Sequence, residues 1–299
     1  MSISRQNLSI VIVTIKSEGV IEQCIESINQ DLPIIIVENS NNSKFTNYLE
    51  KKYKNIRCVL SKENLGMGSG NNLGIKEAKT DYVFIINPDV ILEKDTIDEL
   101  IKASKNISDF SILSPISSNI NYPNYALDEK QKKIKKENLP FSVNAVDGYA
   151  MLFNKKKIDL IMSNDPSNPK NNYFDESFFM YLENNDLCKR LIEKGGSIFI
   201  APRAKINHLG AKAVDDKYFE QVELSRNWHW IWSKFYFNKK HYGYWIAFLK
   251  GFPKLFSSLI KYTFYSLIKN KIKQKIYFNR ISGFLNAAIN KKSWYRSQF

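Results

Sequence analysis

Apolar runs and helix-spaced stretches alternate along the first third of the chain. "LSIVIVTI" (8–15) is continuous, apolar and β-branched, which predicts a strand covered on both faces of a parallel sheet. "GVIEQCIESINQ" (19–30) then puts Val20, Ile21, Cys24, Ile25 and Ile28 on one side of a helix. "PIIIVEN" (33–39) predicts a second buried strand, and "SKFTNYLEKKY" (43–53) a second helix with Ser43 as N-cap. "IRCVLS" (56–61) is a third strand. A glycine- and asparagine-rich loop, "ENLGMGSGNNLG", follows and leads into a helix through about Lys79, and "DYVFIINPDV" (81–90) is a fourth strand. This alternation predicts an α/β fold with a doubly wound, mostly parallel sheet flanked by helices.

Further on the pattern loosens. Residues 118–140 are polar and lysine-rich, which predicts a solvated, mobile loop or short helix. "VNAVDGYAMLFN" (143–154) reads as a strand bent at Gly148. "FDESFFMYLENNDLCKRLIEKGG" (174–196) contains a helix from about Glu183, closed by Gly195 and Gly196. "SIFIAPRAKINHLG" (197–210) reads as two short strands with Pro202 between them. Residues 242–268 approach membrane-crossing length, but Lys250, Lys254 and Lys261 interrupt them. At about 100° per residue these lysines form a stripe opposite Trp245, Phe248, Leu249, Phe252, Leu255, Phe256, Leu259 and Ile260, with Pro253 expected to kink or divide the helix. A basic stripe opposite an aromatic face describes a helix lying on an anionic leaflet. The same pattern also fits a helix pair packed on the rest of the protein with its lysines solvated.

Charge changes the picture of domain organisation. Of 299 residues, 1–222 carry 29 Lys/Arg against 29 Asp/Glu, whereas 223–299 carry 15 Lys/Arg against Glu223 alone. The whole net charge of +14 therefore sits in the last quarter, together with Trp228, Trp230, Trp232, Trp245 and Trp294. A composition break this sharp predicts a boundary near residue 222. Cys24, Cys58 and Cys188 are odd in number, far apart and without C-x-x-C spacing, which indicates neither a disulfide framework nor a zinc site and suits a reducing cytosol. The apolar run near the N-terminus is too short for a signal peptide and reads better as the first buried strand.

In a doubly wound sheet, ligands bind beyond the carboxyl ends of the strands. The polar residues at those ends are Thr14, then Glu38, Asn39 and Ser40, then Lys62 to Asn72, then Asn87, Pro88 and Asp89. The Gly/Asn stretch matches neither G-x-G-x-x-G nor a G-K-[S/T] loop, so alone it reads as a turn. Between a strand end and a helix start, however, its small residues let the backbone approach an anion. Asp89 is carried straight out of an apolar strand behind Pro88. It is either a turn cap or an oxygen ligand for a hard cation, which typically takes one or two carboxylates plus substrate phosphates.

The ordered set "VIVT", "IIIVENSNN", "ENLGMGSGNNLGI", "DYVFIINPDV", "VDGYAMLF", "FDESFFMYLENNDLCKRL" and "INHLG" resembles a family 2 inverting glycosyltransferase of the GT-A fold, and most of all the branch that includes bacterial rhamnosyltransferases. The resemblance covers roughly residues 8–240 and implies a catalytic domain over 1–222 followed by a basic, aromatic helical tail over 223–299. It implies a nucleoside-diphosphate sugar donor (dTDP- or UDP-linked) and Mg²⁺ or Mn²⁺ as cofactor. Donor contacts would come from Thr14, Glu38, Asn39, Ser40, Asn64, Gly66, Gly70, Asn71 and Arg226, with Asp89 and His208 at the metal. The acceptor would be a glycan or a lipid-linked oligosaccharide in cell-surface polysaccharide synthesis.

Two positions depart from the pattern. Glu38 stands where the family usually has Asp. Asn184 occupies the place of the usual catalytic Asp in "LENNDLC", and an amide cannot accept a proton. Glu183 and Asp186 remain as catalytic candidates, three apart at a helix start, with Glu183 preferred as base and Asp186 as orienter or alternative; both also fit as ordinary N-terminal helix acids. The expected location is cytoplasmic, peripheral at the inner face of the cell membrane, with the tail on an anionic surface. A nucleotidyltransferase is the first alternative, although "TIKSEG" is a poor phosphate loop after the first strand. A nucleic-acid binder is the second. Its disfavouring feature is that the tail's aromatic side chains fall at helical spacing on an apolar face, so nucleic acid is not an expected partner.

Overall fold

The computed structural model describes residues 3–28, 31–107, 109–119, 123–127, 131, 138–163, 172–210 and 213–296. Two units divide the chain: Met1–Asp175 with Asn184–Asp215, and Glu176–Glu183 with Asp216–Phe299. The division falls just before the composition break, and the short segment 176–183 joins the second unit.

The first unit is built on strands β1 (Leu8–Thr14), β2 (Ile34–Glu38), β3 (Ile56–Leu60), β4 (Tyr82–Ile86), β5 (Val90–Leu92), β6 (Ile112–Ser117), β7 (Tyr125–Ala126), β8 (Phe141–Ser142), β9 (Ala145–Val146), β10 (Ala150–Asn154) and β11 (Ile198–His208). Nine of them form one sheet in the order β3-β2-β1-β4-β10-β6-β11-β5, with β8 also on β11, while β7 and β9 make a separate ribbon. The strands from β3 to β4 are parallel, β10 runs against both β4 and β6, and β6 and β11 are again parallel. Helices cover both faces. Ile10, Ile12, Phe84 and Leu152 pack into one core, and Val11, Val83, Ile85 and Met151 into the other. The unbroken apolar runs are thus explained by burial on both sides of the sheet.

Three expectations are corrected at this level. The stretch expected to be one strand over 81–90 is two, because Pro88 has no N–H for the ladder; β4 stops at Ile86, the chain turns through 87–89, and β5 joins the far edge. The stretch with Pro202 is one strand, β11, whose register against β6 shifts between Ala201 and Lys205. The Gly/Asn loop is largely a helix, Gly66–Glu77, with Gly66 at φ +80°. Glycine is a poor helix former, so packing must hold this helix. A Cβ on Gly74 would lie 2.4 Å from Val11 Cγ1, and one on Gly70 would lie 2.8 Å from Val13 Cγ1. Those glycines let the helix touch β1. As expected, the Glu183–Glu193 helix ends at Gly195, in a left-handed turn at φ +83°. In the lysine-rich stretch, residues 120–122, 128–130 and 132–137 lie outside the described residues.

The second unit packs helices Phe219–Tyr242, Tyr244–Leu267 and Lys271–Ala288 around Trp228, Ile231, Trp232, Phe235, Ala247, Phe284 and Ala287. Pro253 lies inside the second of these helices without dividing it; the break comes at Gly243, at φ +90°. Trp228 and Trp232 are core residues, because their ring surface fills the centre of the helical unit. Among the described residues no helix is long and apolar enough to cross a membrane.

The glycine stripe gives a test of the packing. Gly74→Ala should lower the stability of the first unit by about 1–3 kcal/mol, the usual cost of forcing a methyl into a filled core. At a helix position with room, the same change stabilises by up to about 1 kcal/mol. Urea unfolding reads the sign, and an unchanged or raised midpoint would refute the contact between this helix and β1.

Candidate active site

The carboxyl ends of β1, β2 and β4 bring the sequence-predicted residues Thr14, Glu38, Asn39, Ser40 and Asp89 to one rim of the sheet, and the Gly66–Glu77 helix adds Gly66, Gly70 and Asn71. Thr14 is buried, its Oγ1 3.5 Å from the Val37 carbonyl. The Glu38 carboxylate is engaged by its own turn: Oε1 accepts from the amide of Ser40 at 2.9 Å and from its hydroxyl, and Oε2 accepts from the Asn42 amide at 2.7 Å. Here Glu38 fixes the chain after β2. Asn39 donates from Nδ2 to the Gly66 carbonyl at 3.2 Å, and Asn64 Oδ1 accepts from the Gly66 amide at 3.0 Å, so the two asparagines position the helix start. Asn72, outside the expected set, clamps Phe174: Nδ2 donates to its carbonyl and Oδ1 accepts from its amide, each at 2.9 Å.

The sheet register sets the other half of the site. β5 pairs with β11 so that Val90 faces His208, and the Leu209 amide donates to the Asp89 carbonyl at 3.0 Å. His208 Nε2 therefore stands 3.4 Å from Asp89 Oδ1, close enough for an ion pair but without hydrogen-bond geometry. The Tyr149 ring stacks on the His208 imidazole at 4.0 Å between centroids. Burial pushes the Tyr149 hydroxyl up to about 12. Four side-chain oxygens on this rim, Asn39 Oδ1, Asn71 Oδ1, Asn87 Oδ1 and Asp89 Oδ1, are buried and accept no hydrogen bond. Buried polar atoms are almost always satisfied, so four such oxygens together mark a place for a polar ligand.

A divalent cation fits this set in a restricted way. Asp89 offers a buried, unengaged carboxylate oxygen and His208 a neighbouring imidazole nitrogen. Among the described residues there is no group of three or more His, Cys, Asp or Glu side chains able to hold a metal by themselves. One carboxylate and one imidazole suit a cation whose remaining ligands come from substrate phosphates and water.

At the helix start, the two remaining acids differ in surroundings. Asp186 is fully buried, and its Oδ2 accepts from Arg190 Nε at 2.7 Å; Arg190 also donates from Nη2 to the Tyr173 carbonyl at 2.7 Å. Glu183 is the first residue of the helix and is 7% exposed. Arg226 lies in the second unit, where Nε donates to the Tyr181 hydroxyl at 3.0 Å and Nη1 pairs with Glu223 at 3.3 Å. Sequence reasoning missed Asp147 and Tyr149, which flank Gly148 between β9 and β10. The signal was present in "VDGY": an acid and an aromatic beside the glycine at which the strand was expected to bend.

A family model described as "Glycosyl transferase family 2" matches residues 9–161. The chain belongs to glycosyl transferase family 2. It is 26% identical over 230 residues to the low-salt glycan biosynthesis hexosyltransferase Agl10 of Haloferax volcanii, covering 74% of this chain and 69% of that protein. With the rhamnosyltransferase WbbL of Escherichia coli it shares 26% identity over 221 residues, covering 64% of this chain and 80% of the relative. Among solved structures, the mannosyltransferase PcManGT of Pyrobaculum calidifontis, in complex with GDP-Man and Mn²⁺, superposes with a TM-score of 0.55 at 11% identity, covering 96% of this chain and 88% of that one. GalNAc-T7, solved with UDP, GalNAc and Mn²⁺, gives 0.53 at 13% identity over 76% of this chain; the match spans 50% of GalNAc-T7. At these identities the structures speak for the fold: this family 2 glycosyltransferase has the GT-A architecture.

The Asp186–Arg190 pair yields a stability test. Arg190→Met leaves a buried carboxylate uncompensated and should cost about 3–5 kcal/mol, most of it recovered in the double variant Asp186→Asn, Arg190→Met. Urea unfolding of the three variants checks this. Full stability of Arg190→Met would contradict the supporting role given to Asp186.

Proposed function

We propose that this enzyme transfers a sugar from a nucleoside-diphosphate donor to a hydroxyl of a glycan or lipid-linked acceptor, by single displacement with inversion at the anomeric carbon. The four unsatisfied buried oxygens along the carboxyl rim carry this reading, because they lie where a nucleotide sugar crosses a sheet of this kind. Thr14 and the turn built on Glu38, Asn39 and Ser40 lie at the base and ribose end. Asn64, Gly66, Gly70 and Asn71 bring helix amides and small residues to the diphosphate. Asp89 and His208 would hold Mg²⁺ or Mn²⁺ together with that diphosphate, and the bound cation supplies charge neutralisation for the leaving group. A uridine or thymidine diphosphate donor, with rhamnose or another hexose, is the proposed substrate class. It rests on the resemblance to hexosyl- and rhamnosyltransferases.

The second unit adds a proposed place of work, an anionic membrane surface reached from the cytoplasmic side. On the Tyr244–Leu267 helix the apolar residues divide. Phe248 and Leu255 turn inward onto the Phe235–Phe284 core, whereas Trp245, Leu249, Phe252, Phe256, Leu259 and Ile260 are exposed. Lys250, Lys254 and Lys261 are exposed and, at about 100° per residue, form a stripe on the side of the helix opposite this face. An exposed apolar face with a basic stripe opposite it matches a helix lying on an anionic lipid interface, where each lysine near the surface contributes on the order of 1 kcal/mol.

Two measurements test these assignments. Asp89→Ala should abolish Mn²⁺-dependent binding of UDP and dTDP in calorimetry while the protein stays folded; unchanged metal-dependent affinity would remove Asp89 from the cation. The triple change Lys250→Glu, Lys254→Glu, Lys261→Glu should release the protein from phosphatidylserine-containing liposomes at physiological salt. Equal liposome binding by parent and variant would leave this face without a membrane role.

A further inference from the structure

The proposed single displacement needs a carboxylate to take the acceptor's proton, and residue 184, where such an acid is expected, is an asparagine. Asn184 is not idle. Its Nδ2 donates to the Val146 carbonyl at 2.8 Å, at the end of β9. The turn that follows, Asp147-Gly148-Tyr149, is tied on every side. The Asp147 amide donates to the Asn124 carbonyl at 2.9 Å, and the Tyr149 carbonyl accepts from the Asn87 amide at 3.0 Å. A Cβ on Gly148 would come 3.3 Å from Asn184 Cβ, so the turn lies flat against the side chain at 184.

A fixed turn presents its one acid. Asp147 lies in electrostatic reach of His208, beside Asp89, and of Cys188, one helical turn beyond Asn184. Its turn runs from Val146, which holds Asn184, to Tyr149, whose carbonyl accepts from Asn87 and whose ring stacks on His208. Asp147 thus lies on the stretch that joins the Asn184 helix to the Asp89–His208 rim. Desolvation raises the Asp147 carboxyl above its usual range, yet the residue remains exposed. An exposed acid on a turn fixed beside the rim is open to a substrate. The two acids of the helix start are less open: Asp186 is fully buried against Arg190, and Glu183 is buried.

We propose that Asp147 is the proton acceptor of this glycosyltransferase and that Asn184 is the positioning residue that holds it in place. The inference rests on the glycosyl-transfer reading above. As the acceptor oxygen forms its bond to the anomeric carbon, its proton passes to Asp147. The bond from that carbon to the diphosphate oxygen breaks, and its electron pair leaves with the nucleoside diphosphate. Solvent later takes the proton from Asp147. Asparagine at 184 is then the matching half of an exchange: a carboxylate there would set two acceptors, its own oxygen and the Val146 carbonyl, against each other.

The test uses slow hydrolysis of nucleotide sugars, in which water replaces the unidentified acceptor and needs the same base. The full chain with Mn²⁺ is given UDP-glucose, UDP-galactose, UDP-N-acetylglucosamine, GDP-mannose and dTDP-rhamnose, and release of nucleoside diphosphate is followed. With the donor that turns over, Asp147→Asn should lower kcat by roughly 10²–10⁴-fold while UDP or dTDP affinity stays within about threefold. Asn184→Asp should lower kcat with KM kept, and Asp147→Glu should recover part of the Asp147→Asn loss, which a purely structural defect would not show. An Asp147→Asn enzyme within tenfold of the parent overturns the proposal. So does a larger deficit for Glu183→Gln than for Asp147→Asn, or a gain in turnover for Asn184→Asp. A folded parent that consumes no donor overturns the glycosyl-transfer reading, and this assignment with it.

Discussion

The end of β4 at Pro88 is the constraint on which the candidate site depends. A strand that continued past Ile86 would bury Asp89 in the ladder or turn it to the opposite face. Instead the missing N–H releases the chain at Asn87, and β5 joins the sheet edge against β11. That pairing sets Val90 opposite His208 and holds the turn's one acid beside an imidazole. The same turn leaves Asn87 Oδ1 and Asp89 Oδ1 buried without a hydrogen bond among the described residues. Leaving such groups unpaired costs stability, about 1–3 kcal/mol each. Their concentration on one rim is what a ligand-binding edge requires and what a purely structural turn would avoid.

A second constraint is the close approach of the Gly66–Glu77 helix to β1. Side chains at Gly70 and Gly74 would collide with Val13 and Val11, so the glycines serve contact with the sheet before they serve any ligand. The consequence for the site is still direct. A helix held this near the strand ends carries its first-turn amides to the rim, and Asn39 and Asn64 fix where it begins. Packing and the proposed anion site share one arrangement here, so substitution at these glycines would report on both.

Much of the fold was legible because burial on both sheet faces leaves unbroken apolar runs; β1 and β2 lie where "LSIVIVTI" and "PIIIVEN" place them. Boundaries failed at two prolines in opposite ways: Pro88 ends β4 inside an apolar run, whereas β11 continues through Pro202 with a shift of register. The glycine-rich helix was read as a loop because its periodicity is carried by small residues, which leave no apolar signal. In the tail, helical spacing identified an amphipathic element but could not separate Phe248 and Leu255, which pack inward, from Trp245 and Leu249, which do not. Trp228 and Trp232, grouped with the basic tail by composition, are core by position. At the site, Asp89 and His208 were legible from motif order, and their adjacency was not, because a strand register decides it. Asp147 does not stand out because it sits inside a stretch that reads as one bent strand. The hydrogen bond from Asn184 to Val146, on which the proposed role of residue 184 rests, leaves no mark in the sequence.

The central claim is that this family 2 chain moves a sugar from a nucleoside diphosphate in one displacement at the rim around Asp89. The most direct measurement is proton NMR of the product formed from the donor that turns over, with Mn²⁺ present and then removed by a chelator. The first-formed product should have the anomeric configuration opposite to that of the donor, and chelation should stop its appearance. Retention of configuration in the first-formed product, or undiminished transfer without a divalent cation, would contradict that claim.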